Sequence, residues 1–360
     1  MTRLFQNFDA YPAYRERLHQ LAGSADWREV HDAFHRDRFV AVHMLKPTLD
    51  RAPEAAFAIG CDLPSQHDWA RAHGLKANAS SDDILRAQIE AHRTEIFYNH
   101  DPMRFGSDFL TSLPGCVRLS LAWRAAPSPG ADFGGYDRVL CNFPTILQSY
   151  RERGWKPAWF APAHDPVMDD YSGREAREID LLFIGTYSRH HRRRAELIEQ
   201  VAGLGERFNV SLHFQLSKIT KLADGALGLV GPLRKYRRPS LVRRLSSPPL
   251  FGRDLYEAMS RARIVVNAAV DMAEVDRGNM RCWEALGCGA LMLSDAGHYL
   301  DGMADGGTIV TYENVDDLVD KAAALLHDEP RRRAIAEAGN RMVRTRYSKE
   351  RQWQDFLKLL

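Results

Sequence analysis

The chain has 360 residues, 45% hydrophobic and 27% charged, with a formal net charge of +2. That length allows two domains, each with its own core, and no global charge argues for nucleic acid. The five cysteines (Cys61, Cys116, Cys141, Cys282 and Cys288) show neither C-x-x-C nor zinc spacing, and no apolar run has signal-peptide or transmembrane length, so a soluble cytosolic protein with reduced thiols is expected.

Strand-like and helix-like stretches alternate along the chain. RFVAVHML (38–45) predicts a buried strand, and SSDDILRAQIEAHRTE (80–95) a helix with a Ser/Asp start. EIFYNH (95–100), VRLSLAW (117–123), RVLCNF (138–143) and PAWFAPA (157–163) predict further strands, with a helix over 145–154 closed by Gly154. DPVMDDYSGREAREID (165–180) is polar, carries Pro and Gly, and predicts a linker over 165–179. The pattern then restarts. Strands are expected at 180–185, 209–216, 263–270, 290–294 and 307–312, with helices at 192–203 and 251–262 and from about 280. Three helices finish the chain, and in the last one Trp353, Phe356, Leu357 and Leu360 form an apolar stripe.

Two such runs imply two Rossmann-like α/β domains facing across a cleft, over 1–164 and 180–345, with 346–360 as a separate helix. In open α/β sheets ligands bind beyond the carboxyl ends of the strands.

The most informative stretch is GNMRCWEALGCGALMLSD (278–295). A helix begins near Met280, and its unpaired first amides and dipole suit an anion such as a diphosphate. Gly278 and Asn279 form the approach, and Gly278 lets an anion come close to the backbone. Arg281 can add charge-assisted bonds to phosphate oxygens. Glu284 can accept from the vicinal hydroxyls of a ribose. The plain alternative is an Arg281–Glu284 pair on a solvated helix face, with Gly287 and Gly289 ending the helix.

The run from Asp276 to Asp295 resembles the nucleotide-sugar segment of GT-B glycosyltransferases of the group 1 type. That segment has a Glu, seven residues, then a second Glu followed by Ala and a small-Gly pair. Glu284-Ala285-Leu286-Gly287-Cys288-Gly289 matches its second half; Asp276 stands for the first Glu, and Arg277-Gly278-Asn279 replaces Gly-Phe-Gly. GNMRCWEALGCG is similar to the CgeB-like, spore-maturation-protein branch, as are DLLFIGTYSRHHRRRAELIE and the stretch from Thr308 onward. The resemblance implies a GT-B fold whose last helix crosses back to the N-terminal domain. It implies transfer of a sugar, of hexosyl type, from a nucleotide-diphosphate donor to a glycan, lipid-linked or protein hydroxyl acceptor. No cofactor and no metal are implied; the absence of Asp-x-Asp agrees. The expected setting is cell-surface polysaccharide synthesis in the cytoplasm. A nucleotide-sugar epimerase or hydrolase, or a scaffold protein with a degenerate cleft, are the alternatives.

Other residues complete the expectation. Gly185 and Arg189 in GTYSRHHRRR could meet the diphosphate, whereas Arg192, Arg193 and Arg194 read as a solvated helix face. His100 and Asp101 follow a strand, and either could be the base, or Asp101-Pro102 could simply start a turn. His164 and Asp165 suggest an interdomain hydrogen bond, and Asn7, Asp9 and Trp123 are weaker candidates. LRKYRRPSLVRR (233–244) is a basic segment that could touch an anionic membrane at its inner face, or could be a solvated loop. No nucleic-acid signature is present.

Overall fold

The computed structural model describes residues 2–24, 26–187, 192–268 and 274–360. They divide into two units, Met1–Ala163 with Lys349–Leu360, and His164–Ser348.

The first unit is built on six parallel strands: β1 (Leu4–Asn7), β2 (Ala55–Ala58), β3 (Ile96–Asn99), β4 (Leu119–Trp123), β5 (Arg138–Cys141) and β6 (Pro157–Trp159), in the order β2-β1-β3-β4-β5-β6. β1 is inside the sheet although half of Leu-Phe-Gln-Asn is polar. Its polar side chains are buried with partners. Leu45 N donates to Gln6 Oε1 at 3.0 Å, and Gly60 N donates to Asn7 Oδ1 at 3.0 Å. Asn7 Nδ2 donates to Asn99 Oδ1 at 2.8 Å, joining β1 and β3 where the strand order reverses.

Residues 38–45 are not a strand; they run through consecutive turns, and Arg38 takes a left-handed conformation at φ 67°. Three carbonyls of this apolar segment are met by side chains of the last helix, Lys349–Leu357. Lys349 Nζ donates to the carbonyls of Ala41 (2.6 Å), Val42 (3.1 Å) and Met44 (2.7 Å), and Gln352 Nε2 to Val42 O (3.1 Å). Phe356 is fully buried among Leu4, Tyr98, Leu121, Leu140 and Phe160, with Trp353 half-buried beside it. The stripe is narrower than its spacing suggests. The helix ends at Leu357, which is 40% exposed, and Leu360 lies beyond it, exposed.

The second unit has β7 (Ile179–Thr186), β8 (Val210–Gln215), β9 (Ser246–Ser247), β10 (Ala262–Asn267), β11 (Leu291–Asp295) and β12 (Val310–Tyr312), all parallel, in the order β12-β11-β10-β7-β8-β9. This is the doubly wound order whose switch point lies between β7 and β10. Leu181, Phe183, Ile264, Val266, Leu291 and Leu293 supply the core from strands buried on both faces. The segment 165–179 belongs to this unit and carries a 3-10 turn, Pro166–Met168, and a short helix, Asp169–Ser172. Residues 218–245 form a knot of short helices, Lys218–Asp224, Ala226–Gly228, Gly231–Tyr236 and Ser240–Leu245.

Candidate functional site

At the switch point of the second sheet, β7 ends in Gly185 and Thr186 and β10 in Asn267. The segment 274–277 returns after β10 and is pinned to His298: Arg277 N donates to His298 O at 2.8 Å, and His298 N to Val275 O at 2.7 Å. Asp276 is buried in that bridge. Gly278 then turns the chain at φ 150°, a conformation suited to glycine. The helix Met280–Gly287 follows, with Asn279 at its cap. The Asn279 side chain does not cap the helix. Its Nδ2 donates to Asn267 Oδ1 at 3.1 Å, and Asn267 Nδ2 donates to Ser294 Oγ at 2.9 Å. Three elements are thereby locked together at the sheet's carboxyl end.

Arg281 Nη1 donates to Glu284 Oε2 at 2.5 Å. The two residues do pair at i, i+3, but not on a solvated face: Glu284's side chain is 6% exposed and Arg281's 19%. Burial raises the Glu284 carboxyl above its usual range, against the opposing pull of Arg281. Arg277 forms an ion pair with Asp295 at the end of β11. Gly287 and Gly289 are packing residues. A Cβ at Gly287 would strike Met168 and come within 3.0 Å of His164 Nδ1, and Gly289 takes φ 72° with Ser172 O 2.8 Å from where its Cβ would be.

Arg194 departs from the sequence reading. It sits on the helix Arg192–Gly203 after β7, yet it is half-buried where its neighbour Arg193 is exposed. Its guanidinium lies 5.4 Å from the Phe183 ring centroid and against Gly185, where an added Cβ would collide with it. Burial and then the charge of Arg281 lower its pKa. Its Nε is buried with no partner among the described residues. The only sequence signal would have been its place one turn into the helix that follows Gly185. Arg189 lies outside the described residues.

In the first unit, His100 N donates to Asn7 O at 2.8 Å, placing His100 and Asp101 at the β1/β3 switch point. The His100 ring packs at 4.9 Å on Phe8 and 4.3 Å on Tyr98, and burial then His43 hold its pKa well below the usual value. Asp101 is buried and pushed up to about 6, first by burial and then by Asp9. Its Oδ2 lies 3.4 Å from Arg104 Nε, and its carbonyl also accepts from Phe105 N at 3.0 Å, so the turn role is real as well. Trp123 packs on His43 at 4.7 Å. His164 and Asp165 both make hydrogen bonds within the second unit, Asp165 Oδ2 accepting from Tyr256 Oη at 3.4 Å. His164 Nε2 pairs with Asp169 Oδ1 at 2.9 Å, and Asp165 Oδ1 caps Val167 N at 3.3 Å.

The basic segment 233–244 is half internal. Arg238 is buried and pairs with Asp224 at 2.7 Å, while Arg237 caps the Lys218–Asp224 helix, donating to Ala223 O at 3.0 Å and Asp224 O at 3.1 Å. Arg234, Lys235 and Arg244 are exposed. The same knot exposes Ile219, Leu222, Leu227, Leu229 and Val230. No helix among the described residues is long and apolar enough to cross a membrane, and no group of three or more metal-ligating side chains occurs among them.

Comparison with known proteins fits this geometry. Residues 192–358 match the family model described as glycosyl transferase-like. The fold is that of solved GT-B structures. The chain superposes on Anabaena HepE in complex with UDP and glucose (TM-score 0.60, 12% identity, 99% of each chain). It also superposes on sucrose-phosphate synthase from Thermosynechococcus elongatus (TM-score 0.56, 11% identity, 100% and 98% of the chains). A mutant of S. aureus TarM in complex with fondaparinux, alpha-GlcNAc-glycerol and UDP is similar over 79% of this chain (TM-score 0.56, 10% identity), and the match spans 60% of TarM's length. No curated protein sequence matches the chain. The molecule therefore has a two-sheet GT-B fold, and its residues 192–358 match a glycosyl transferase-like family model.

Proposed function

We propose that the chain is a glycosyltransferase of the CgeB-like branch, moving a hexosyl group from a nucleotide-diphosphate sugar to a hydroxyl acceptor. One observation carries this reading. Arg194 and Arg281 are brought together at the switch point of the second sheet, and Arg194 keeps a buried Nε with no partner among the described residues. Like charges gathered at a helix start suit a diphosphate.

In this reading Glu284 accepts from the ribose hydroxyls. Arg281, Arg194 and the Gly278–Asn279–Met280 helix start hold the diphosphate, and Gly185 leaves room for the Arg194 guanidinium. Asp276 buttresses the segment before Gly278. These groups stabilise the departing diphosphate electrostatically, so neither a resident metal nor a cofactor is required. The base is Asp101. A carboxylate titrating at about 6 is ionised yet basic near neutral pH, whereas His100, desolvated among rings, holds a proton weakly. Asp101 takes the acceptor hydroxyl's proton as that oxygen bonds to the sugar's anomeric carbon and the bond to the diphosphate breaks.

The acceptor is a glycan, free or lipid-linked, in cell-surface polysaccharide synthesis at the cytoplasmic face. The exposed aliphatic side chains of 219–230 beside Arg234, Lys235 and Arg244 support peripheral contact with an anionic bilayer. The test is to titrate UDP-, GDP-, dTDP- and CMP-sugars by calorimetry, then follow transfer to a panel of glycans. Failure to bind every donor overturns the reading. Donor turnover equally fast without acceptor replaces it with a hydrolase or epimerase.

A further inference from the structure

The first unit holds a cavity of about 340 Å³ distant in the sheet from Asp101. It opens beside the edge strand β2, at Ala55 and Ala56, and reaches Phe5 early in β1, whereas His100 and Asp101 follow the strands' other ends. A cavity of roughly 300–1,000 Å³ with aromatic walls and a few polar groups is the usual form of a small-molecule site.

Its walls are Phe5, Trp27, Phe57 and Trp69. Two of them are backed by stacked imidazoles, His31 on Phe57 at 4.7 Å and His73 on Trp69 at 3.9 Å. Thr48 and Gln88 also line it, 3% and 5% exposed. Thr48 Oγ1, Gln88 Oε1 and Trp27 Nε1 are buried, and none has a partner among the described residues. A buried polar atom left so is costly, and a bound molecule that meets it removes the cost. The charge of the lining is balanced. Asp32 and Arg51 neutralise each other at 2.8 Å, and burial lowers the His31 pKa to about 4.

We infer that this cavity binds a neutral saccharide ring and serves as an exosite for a part of the acceptor glycan remote from the reacting hydroxyl. Aromatic faces pack against the C–H face of a pyranose. A hydroxyl of the sugar accepts from Trp27 Nε1–H, and others donate to Gln88 Oε1 and Thr48 Oγ1. An ionic ligand would find no counter-charge, and a purely apolar one would leave all three atoms unpartnered. The acceptor assignment rests on the glycosyltransferase reading; the binding of a sugar does not.

The test uses the full chain labelled with fluorotryptophan and followed by fluorine NMR, with the signals of Trp27 and Trp69 assigned from Trp27→Phe and Trp69→Phe. Maltose, cellobiose and chitobiose are titrated, with uridine as the nucleoside arm and UDP binding measured in parallel by calorimetry. At least one disaccharide should give saturable shifts at Trp27 and Trp69. Trp27→Phe keeps the ring and loses the N–H, and Gln88→Leu keeps the volume and loses the acceptor. Each should weaken sugar binding about fivefold and leave UDP affinity unchanged. Thermal unfolding verifies that both variants are folded. No saturable shift with any sugar, or a response to uridine alone, overturns the exosite. Sugar binding without any nucleotide-sugar binding instead overturns the proposed function and leaves the saccharide site standing.

Discussion

Arg281 reaches forward one helical turn to Glu284, Nη1 to Oε2 across 2.5 Å, in surroundings that leave the carboxylate almost no water. Breaking such a pair costs more than the pair contributes, because one charge stays buried alone. Glu284→Ala should weaken donor binding or turnover roughly ten- to a hundredfold, from the lost ribose contact and the freed arginine. Glu284→Gln, which keeps an acceptor oxygen, should lose less. Equal, unchanged donor kinetics in both folded variants would remove Glu284 from the site.

Arg194 and Gly185 test the same site from β7. Arg194→Ala should weaken UDP-sugar and UDP alike by about ten- to a hundredfold, since both carry the diphosphate. Gly185→Ala displaces the Arg194 guanidinium without touching Glu284, so it should reproduce part of that loss. In a double-mutant cycle the two changes should be far from additive. Additive effects in calorimetry would separate the two residues.

Asp101 makes the pH dependence explicit. Its carboxyl is raised from 3.8 to about 6, so the base is protonated and idle below that pH, and kcat/KM should rise as pH passes through about 6. The stability sign is opposite. A folded-state pKa above the unfolded one means that the proton binds the folded state more tightly. The stability due to protonation is therefore present below about 4 and lost as pH rises through 6. Asp101→Asn should abolish transfer yet raise stability near pH 8 by about 2–3 kcal/mol, with little change near pH 4. A flat pH–rate profile across this window would exclude Asp101 as the base.

The aliphatic knot and the exposed cations Arg234, Lys235 and Arg244 within it predict two components of membrane contact. Anionic-liposome binding should fall with salt as Arg234, Lys235 and Arg244 are screened, and a salt-resistant remainder should survive. Substituting Leu227, Leu229 and Val230 by Asn should remove the remainder and leave donor affinity intact. Sedimentation with vesicles that shows no remainder would leave these side chains without a membrane role.

The last helix offers a stability test. Phe356→Ala should cost about 3–5 kcal/mol. Lys349→Met should cost a comparable amount, because three backbone carbonyls lose their donor. Leu357→Ala, at an exposed position, should stay within about 0.5 kcal/mol in urea denaturation.

Most strands of the second unit were legible because parallel strands buried on both faces read as unbroken apolar runs, as at 180–185 and 290–294. β1 was not, because Gln6 and Asn7 break its run and are made tolerable only by distant partners at Leu45, Gly60 and Asn99. The opposite error arose at 38–45, whose apolar residues face a core while its carbonyls bond to Lys349 and Gln352 some three hundred positions away. At the candidate site, Glu284, Arg281 and Gly278 were legible because their chemistry is local to one helix start. Arg194 was hidden among three arginines in a row, and only the fold of β7 onto its helix distinguishes it from Arg193.

Because Lys349–Leu360 belongs to the first unit, the chain leaves that unit at Ala163 and re-enters it only after the whole of the second has been made. Domains emerging from a ribosome generally fold in order from the N-terminus. Here that order cannot be completed. The second core can close while the first still lacks Phe356 and the Lys349 ammonium, with Leu4, Tyr98 and Leu140 facing an unfilled hole and the Ala41, Val42 and Met44 carbonyls unbonded. The nascent protein thus passes through an interval in which the earlier-made of these two units is the less finished one. In that interval a chaperone or a protease would meet residues 2–163, and a chain stopped short of Lys349 would keep a folded second unit attached to an unclosed first.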